Sequence, residues 1–117
     1  MTDTTIFDSR DPRCKTPFGA AASGVPVLLT LRPPRGDGWS RAFLKARFEF
    51  RGDETVTLPM PWTGLEGDRD LFSCSLDTTG YLGLVWYSFR LERLDGRVLE
   101  LPERQLTVYD GAGTVPA

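Results

Sequence analysis

Three tryptophans, a scatter of carboxylates and two cysteines are the residues of this sequence that could do chemistry. Trp39 and Trp62 stand in segments rich in Gly and Pro, and Trp86 stands inside the densest aromatic stretch. An exposed indole can stack on the apolar C–H face of a sugar. The same ring can instead cap the end of a β-domain or be covered by a neighbouring segment. Both readings stay open at all three positions. Among the acids, Asp53 with Glu54 and Glu66 with Asp68 could pair for acid–base work, which at a glycosidic bond takes two flanking carboxylates. They fall in turns or beside charged strand faces, where solvated charge explains them better. Two Arg-Gly-Asp tripeptides, at 35–37 and 51–53, also lie where the chain must turn; Gly and Asp are what turn chemistry selects, so no adhesion site is read from them. The chain has no His at all, which removes the commonest general base near neutral pH and the commonest metal ligand together. No catalytic residue, metal or cofactor is expected.

At 117 residues the chain has the size of one domain, large enough for a core and far short of the ~250 residues of a catalytic (β/α)₈ barrel. Fourteen Lys and Arg against sixteen Asp and Glu leave a formal charge of -2 with the signs interspersed, so no nucleic-acid partner is expected. The first residues lack a basic region followed by an apolar one, and the apolar runs are too short to span a bilayer; neither a leader nor a membrane partner is expected. Cys14 and Cys74 make no disulfide framework. Both are expected to be reduced, in keeping with a cytoplasmic location.

The elements that must hold these residues are strands. Around Trp86, Val85, Tyr87, Phe89 and Leu91 alternate with Trp86, Ser88, Arg90 and Glu92, a period of two that marks a strand with one buried face. Four large apolar side chains on that face, each worth about 1.5–3 kcal/mol when buried, make this strand the expected nucleus of the core. A short extended segment is expected at 4–7, an irregular edge at 15–20, and strands at 25–32, 41–51, 54–60, 70–77, 97–101 and 105–109. In the strand at 41–51, Leu44, Ala46, Phe48 and Phe50 are expected inward, against Lys45, Arg47, Glu49 and Arg51. In that at 54–60, Val56, Leu58 and Met60 are expected inward. The segments 33–40 and 59–68 read as loops, Gly52-Asp53 and Asp95-Gly96 as hairpin turns. Seven to eight short antiparallel strands with no helical periodicity point to an all-β, Ig-like β-sandwich over residues 1–110, with 111–117 as a linker or tail.

Asp8-Ser9-Arg10-Asp11-Pro12, Thr16-Pro17-Phe18-Gly19-Ala20, Leu31-Arg32, Leu58-Pro59-Met60, Gly83-Leu84-Val85-Trp86-Tyr87-Ser88-Phe89 and Gln105-Leu106-Thr107-Val108-Tyr109-Asp110 occur in an order and spacing that resembles a known family. It is the N-terminal Ig-like domain of bacterial α-amylase-family glycosidases of the neopullulanase and cyclomaltodextrinase kind, and the likeness runs over residues 6–110. Cys14 and Ser88 stand where that family often carries aromatic rings. The resemblance implies a non-catalytic accessory domain of an α-glucan-acting glycoside hydrolase. Its partners would be the catalytic barrel of the same parent chain and, beyond that, an α-glucan or a second subunit; the family's catalytic carboxylates lie in the barrel. A free-standing Ig-like protein-interaction or adhesion module is the alternative.

Overall fold

A computed structural model describes residues 5–17 and 19–110; the expected linker at 111–117 and residues 1–4 lie outside them. The described residues form ten strands: β1 (Lys15–Thr16), β2 (Ala21–Ala22), β3 (Val27–Leu31), β4 (Arg41–Phe48), β5 (Glu54–Pro59), β6 (Trp62–Glu66), β7 (Arg69–Leu76), β8 (Gly83–Glu92), β9 (Val98–Glu100) and β10 (Arg104–Tyr109). They make an all-β domain of two sheets, one in the order β1–β3–β7–β6, the other β2–β10–β8–β4–β5 with β9 paired to the end of β8. The pairings are antiparallel except for β2 beside β10, which are parallel over two residues.

The alternation around Trp86 is realised as β8, whose Val85, Tyr87, Phe89 and Leu91 are buried. The same holds for Leu44, Ala46 and Phe48 on β4 and for Leu106 and Val108 on β10. These side chains join Val27, Leu29, Leu31, Phe72 and Leu76 of the other sheet in one buried cluster, with Val56 and Leu58 half-buried against it and Met60 buried beyond the end of β5. Phe7 adds its ring to the cluster, 4.6 Å from Phe89 and 6.1 Å edge-on to Tyr87.

Four expectations fail, each for a local reason. Residues 5–7 form no strand; the Ile6 carbonyl accepts one hydrogen bond, from the Arg32 N–H. The segment at 15–20 is not merely irregular, because Lys15–Thr16 pairs with β3 in one sheet and the chain then crosses to lay Ala21–Ala22 beside β10 in the other. The segment at 59–68 contains β6, which completes a hairpin with β7 and absorbs its irregularity as a register shift between Trp62 and Gly64. Finally, β4 stops at Phe48. Glu49–Arg51 coil into a 3₁₀ turn that ends on left-handed Gly52 and Asp53 (φ 64° and 57°), so Phe50 is 66% exposed rather than inward. Its ring lies on Gly83, where a Cβ would stand 2.1 Å from the Phe50 ring and the φ of +124° already disfavours any other residue.

Candidate functional site

Trp39 and Trp62, far apart in the chain, meet in a cleft of about 310 Å³ with Arg35, Ser40, Asp70 and Phe72 on its walls. The loop after β3 carries Trp39. It is fastened to the start of β7 by an Arg35 N–H bond to the Asp68 carbonyl and an Asp70 N–H bond to the Pro33 carbonyl, 2.8 and 3.0 Å long. Residues 35–37, the first Arg-Gly-Asp tripeptide, make a 3₁₀ turn there, and left-handed Gly38 (φ 72°) releases the chain towards β4. Ser40 then anchors the far side of Trp39, its N–H and Oγ both bonding the Glu92 carbonyl at the end of β8.

Trp62 opens β6 opposite Phe72. The residue is 53% exposed, and its Nε1–H donates to Asp70 Oδ1 at 2.9 Å. Asp70 is buried, and the same oxygen accepts a longer bond of 3.5 Å from Arg35 Nη1. One carboxylate therefore anchors the exposed indole and draws the exposed Arg35 guanidinium towards it. Trp39 is half-buried against the core, and its enclosed Nε1–H finds no acceptor among the described residues. A buried donor without a partner is costly, of the order of 1–3 kcal/mol. The cleft thus offers an exposed ring face, a guanidinium, a carboxylate and a hydroxyl. That set can stack on a sugar ring and bond its hydroxyls. A single carboxylate already engaged by two donors is not the pair that flanks a scissile glycosidic bond.

Trp86 stands apart. It lies on the outer face of β8 between its cross-strand neighbours Arg47 and Gln105, half-buried, with the Arg47 guanidinium 5.5 Å from its ring centroid. Asp53 and Glu103 hold that guanidinium at 2.9 and 3.2 Å. The ring is covered by its own domain's arginine, and its Nε1–H too lacks an acceptor among the described residues. Beyond it on the same sheet face runs a groove of about 520 Å³ lined by Phe43, Lys45, Ser88, Arg90, Glu100 and Glu103.

The remaining sequence candidates are structural. In the second Arg-Gly-Asp tripeptide, Arg51 stacks over Phe48 and Tyr81 at 5.4 and 5.3 Å, and Asp53 pairs with Arg47. Glu66 is bonded by Arg32 and lies 3.7 Å from Arg13. Both thiols are free, Cys14 buried and Cys74 half-buried. Among the described residues no group of three or more Cys, Asp and Glu could hold a metal ion. Arg35 and Asp70 were not singled out as site residues by the sequence; only the position of Asp70 at the head of an alternating run hinted that it would be held against a strand neighbour. No protein-family model matches the chain, and no curated protein matches it.

Proposed function

We propose that the chain is a non-catalytic accessory domain, an Ig-like β-sandwich, of an α-glucan-acting glycoside hydrolase of the α-amylase family, and that its Trp39/Trp62 cleft contacts glucan. The ordered motifs from Asp8 to Asp110 suggest the family. The observation that carries the reading to a site is the cleft itself, in which the exposed Trp62 indole, held by Asp70, meets Trp39 and the Arg35 guanidinium. Two sheets sharing one buried cluster are what a sandwich requires.

A second feature supports attachment to a larger body. Phe50 and Leu82 are 66% and 53% exposed at the end of the sheet where β8 begins, and β10 ends there too, with Val108 opposite Gly83. An apolar surface of this kind is a natural contact for another domain or subunit. Under the alternative reading, a free-standing interaction module, the same surface receives a separate protein. The cleft lies at the opposite end, since β4 begins beside Trp39 and finishes beside Phe50.

The reading is tested by affinity electrophoresis in soluble starch together with a hydrolysis assay. The purified 117-residue chain should be retarded without releasing reducing sugar, and Trp62→Ala should abolish the retardation. Unretarded migration of the wild-type chain would remove the glucan contact, and turnover of starch or pullulan would remove the accessory role. Reading the coding sequence beyond Ala117 for a barrel separates the parent-enzyme reading from the free-standing module.

A further inference from the structure

Where the chain crosses from β1 to β2, a pocket of about 240 Å³ opens against the uncovered part of the β10 edge. Ser9, Arg10, Lys15, Tyr87, Gln105 and Thr107 line it, so its walls carry two cations, three hydroxyls and a carboxamide, and no carboxylate. This is unexpected in a chain whose acids outnumber its bases. Lys15 is only 3% exposed. Its Nζ donates to the carbonyls of Pro17 and Gly19 at 2.9 and 2.6 Å, and among the described residues no carboxylate pairs with it. Buried ammonium groups are normally paired. Arg10 is exposed and its guanidinium has no carboxylate partner among the described residues; Asp8, its near neighbour, spends Oδ1 on the Arg10 backbone N–H instead. A third cation stands behind the pocket: Arg104, opposite Tyr87 in the ladder, places its guanidinium 5.1 Å from the Phe7 ring and has a buried Nε without an acceptor.

We propose that this pocket binds a phosphate group. Convergent donors with no competing acid suit a tetrahedral oxyanion, whose several acceptor oxygens can use the Arg10 fork, the Lys15 point charge and the hydroxyls together, whereas a carboxylate has only two oxygens to offer. Burial pushes the Lys15 pKa down, since nothing of opposite charge offsets its lost hydration; a bound oxyanion would supply that charge. The site is separate from the tryptophan cleft, with no residue in common.

The test is an amide NMR titration of the full chain with inorganic phosphate at constant ionic strength, set against chloride, with glucose 1-phosphate as a second arm. A single saturable curve is expected at Ser9, Arg10, Lys15, Gly19, Gln105 and Thr107 with phosphate and not with chloride. Tighter binding of glucose 1-phosphate would identify a sugar phosphomonoester as the ligand, and equal binding free phosphate. Arg10→Ala, at an exposed position that leaves the fold intact, should weaken binding at least tenfold, and Lys15→Met should abolish it. Absence of saturable shifts, shifts reproduced by chloride, or unchanged affinity in Arg10→Ala would overturn the proposal.

Discussion

Four aspartates do the same local work, and three of them, Asp11, Asp77 and Asp95, set how the domain responds to acid. Asp8, Asp11, Asp77 and Asp95 each accept, through Oδ1, the backbone N–H two residues further on, at 2.9 to 3.0 Å. This is the Asx turn that makes Asp favourable in loops. Hydrogen bonds to the ionised form hold Asp11 down to about 2, chiefly through Arg13, and hold Asp77 and Asp95 below the ordinary carboxylate range through Thr79 and Arg97. A carboxyl whose folded pKa lies below its unfolded value contributes stability above the unfolded value, and that contribution is lost as pH falls through the folded one. Urea midpoints are therefore expected to fall progressively between about pH 4 and about pH 2. Asp77→Asn keeps an acceptor but no longer titrates, so its midpoint should vary less over the same interval; a curve parallel to wild type would show that Asp77 takes no part. Of these turns Asp95-Gly96 was legible in the sequence, whereas Asp77 read as the end of the strand at 70–77. Trp39 and Trp62 were legible one by one as rings outside the core pattern, but their meeting was not, because it depends on the loop after β3 being fastened to β7 by backbone hydrogen bonds that no residue type announces.

At the level of the elements, β4 and β8 pair over eight residues, and their alternation fixes opposite fates for neighbouring side chains. Phe48 is buried against Tyr81, with ring centroids 4.9 Å apart, while Lys45 faces the outer groove. Phe48→Ala is expected to cost about 3–5 kcal/mol in denaturant melts and Lys45→Ala under about 0.5 kcal/mol. Equal costs would mean that the strand register is shifted by one residue, which exchanges the two faces. The boundary of β4 was less legible than its interior: the alternation continues formally to Phe50, and only the left-handed pair Gly52-Asp53 turns the chain early. Phe50 then meets Gly83, and the two should be coupled. Gly83→Ala should destabilise the domain by about 1–3 kcal/mol, chiefly because its φ of +124° is strained for any side chain, with the exposed Phe50 ring forced aside as well. Phe50→Ala alone should cost little and should recover part of that loss in the double variant, the remainder reflecting the positive φ. Strict additivity in the cycle would show that ring and glycine do not touch. In the same way β6 was hidden by Pro59, Pro61, Gly64 and Gly67, residues that ordinarily punctuate loops; here Gly64 (φ 148°) serves a bulge within a paired strand. The two-residue strands β1 and β2 are too short for any period to show.

Over the whole molecule, the two ends of the domain have different characters. One carries the apolar Phe50 and Leu82 beside the last residues of β10; the other carries the Trp39/Trp62 cleft with its oriented polar groups. The all-β class followed from the alternating runs, and division into two sheets from the number of strands. The placing of Phe50 and Leu82 at one end and of the tryptophan cleft at the other did not, because it is set by which strands pair. A glucan-contacting accessory domain needs the cleft to be the place where sugar binds, and the three indole N–H groups report on that separately. The decisive measurement is a ¹⁵N NMR titration of the 117-residue chain with maltoheptaose, followed at the tryptophan side chains. Saturable shifts of the Trp39 and Trp62 indole resonances are expected, with that of Trp86, beneath Arg47 on the outer sheet face, unmoved. Unchanged Trp39 and Trp62 resonances at millimolar glucan, or shifts confined to Trp86, would contradict the account.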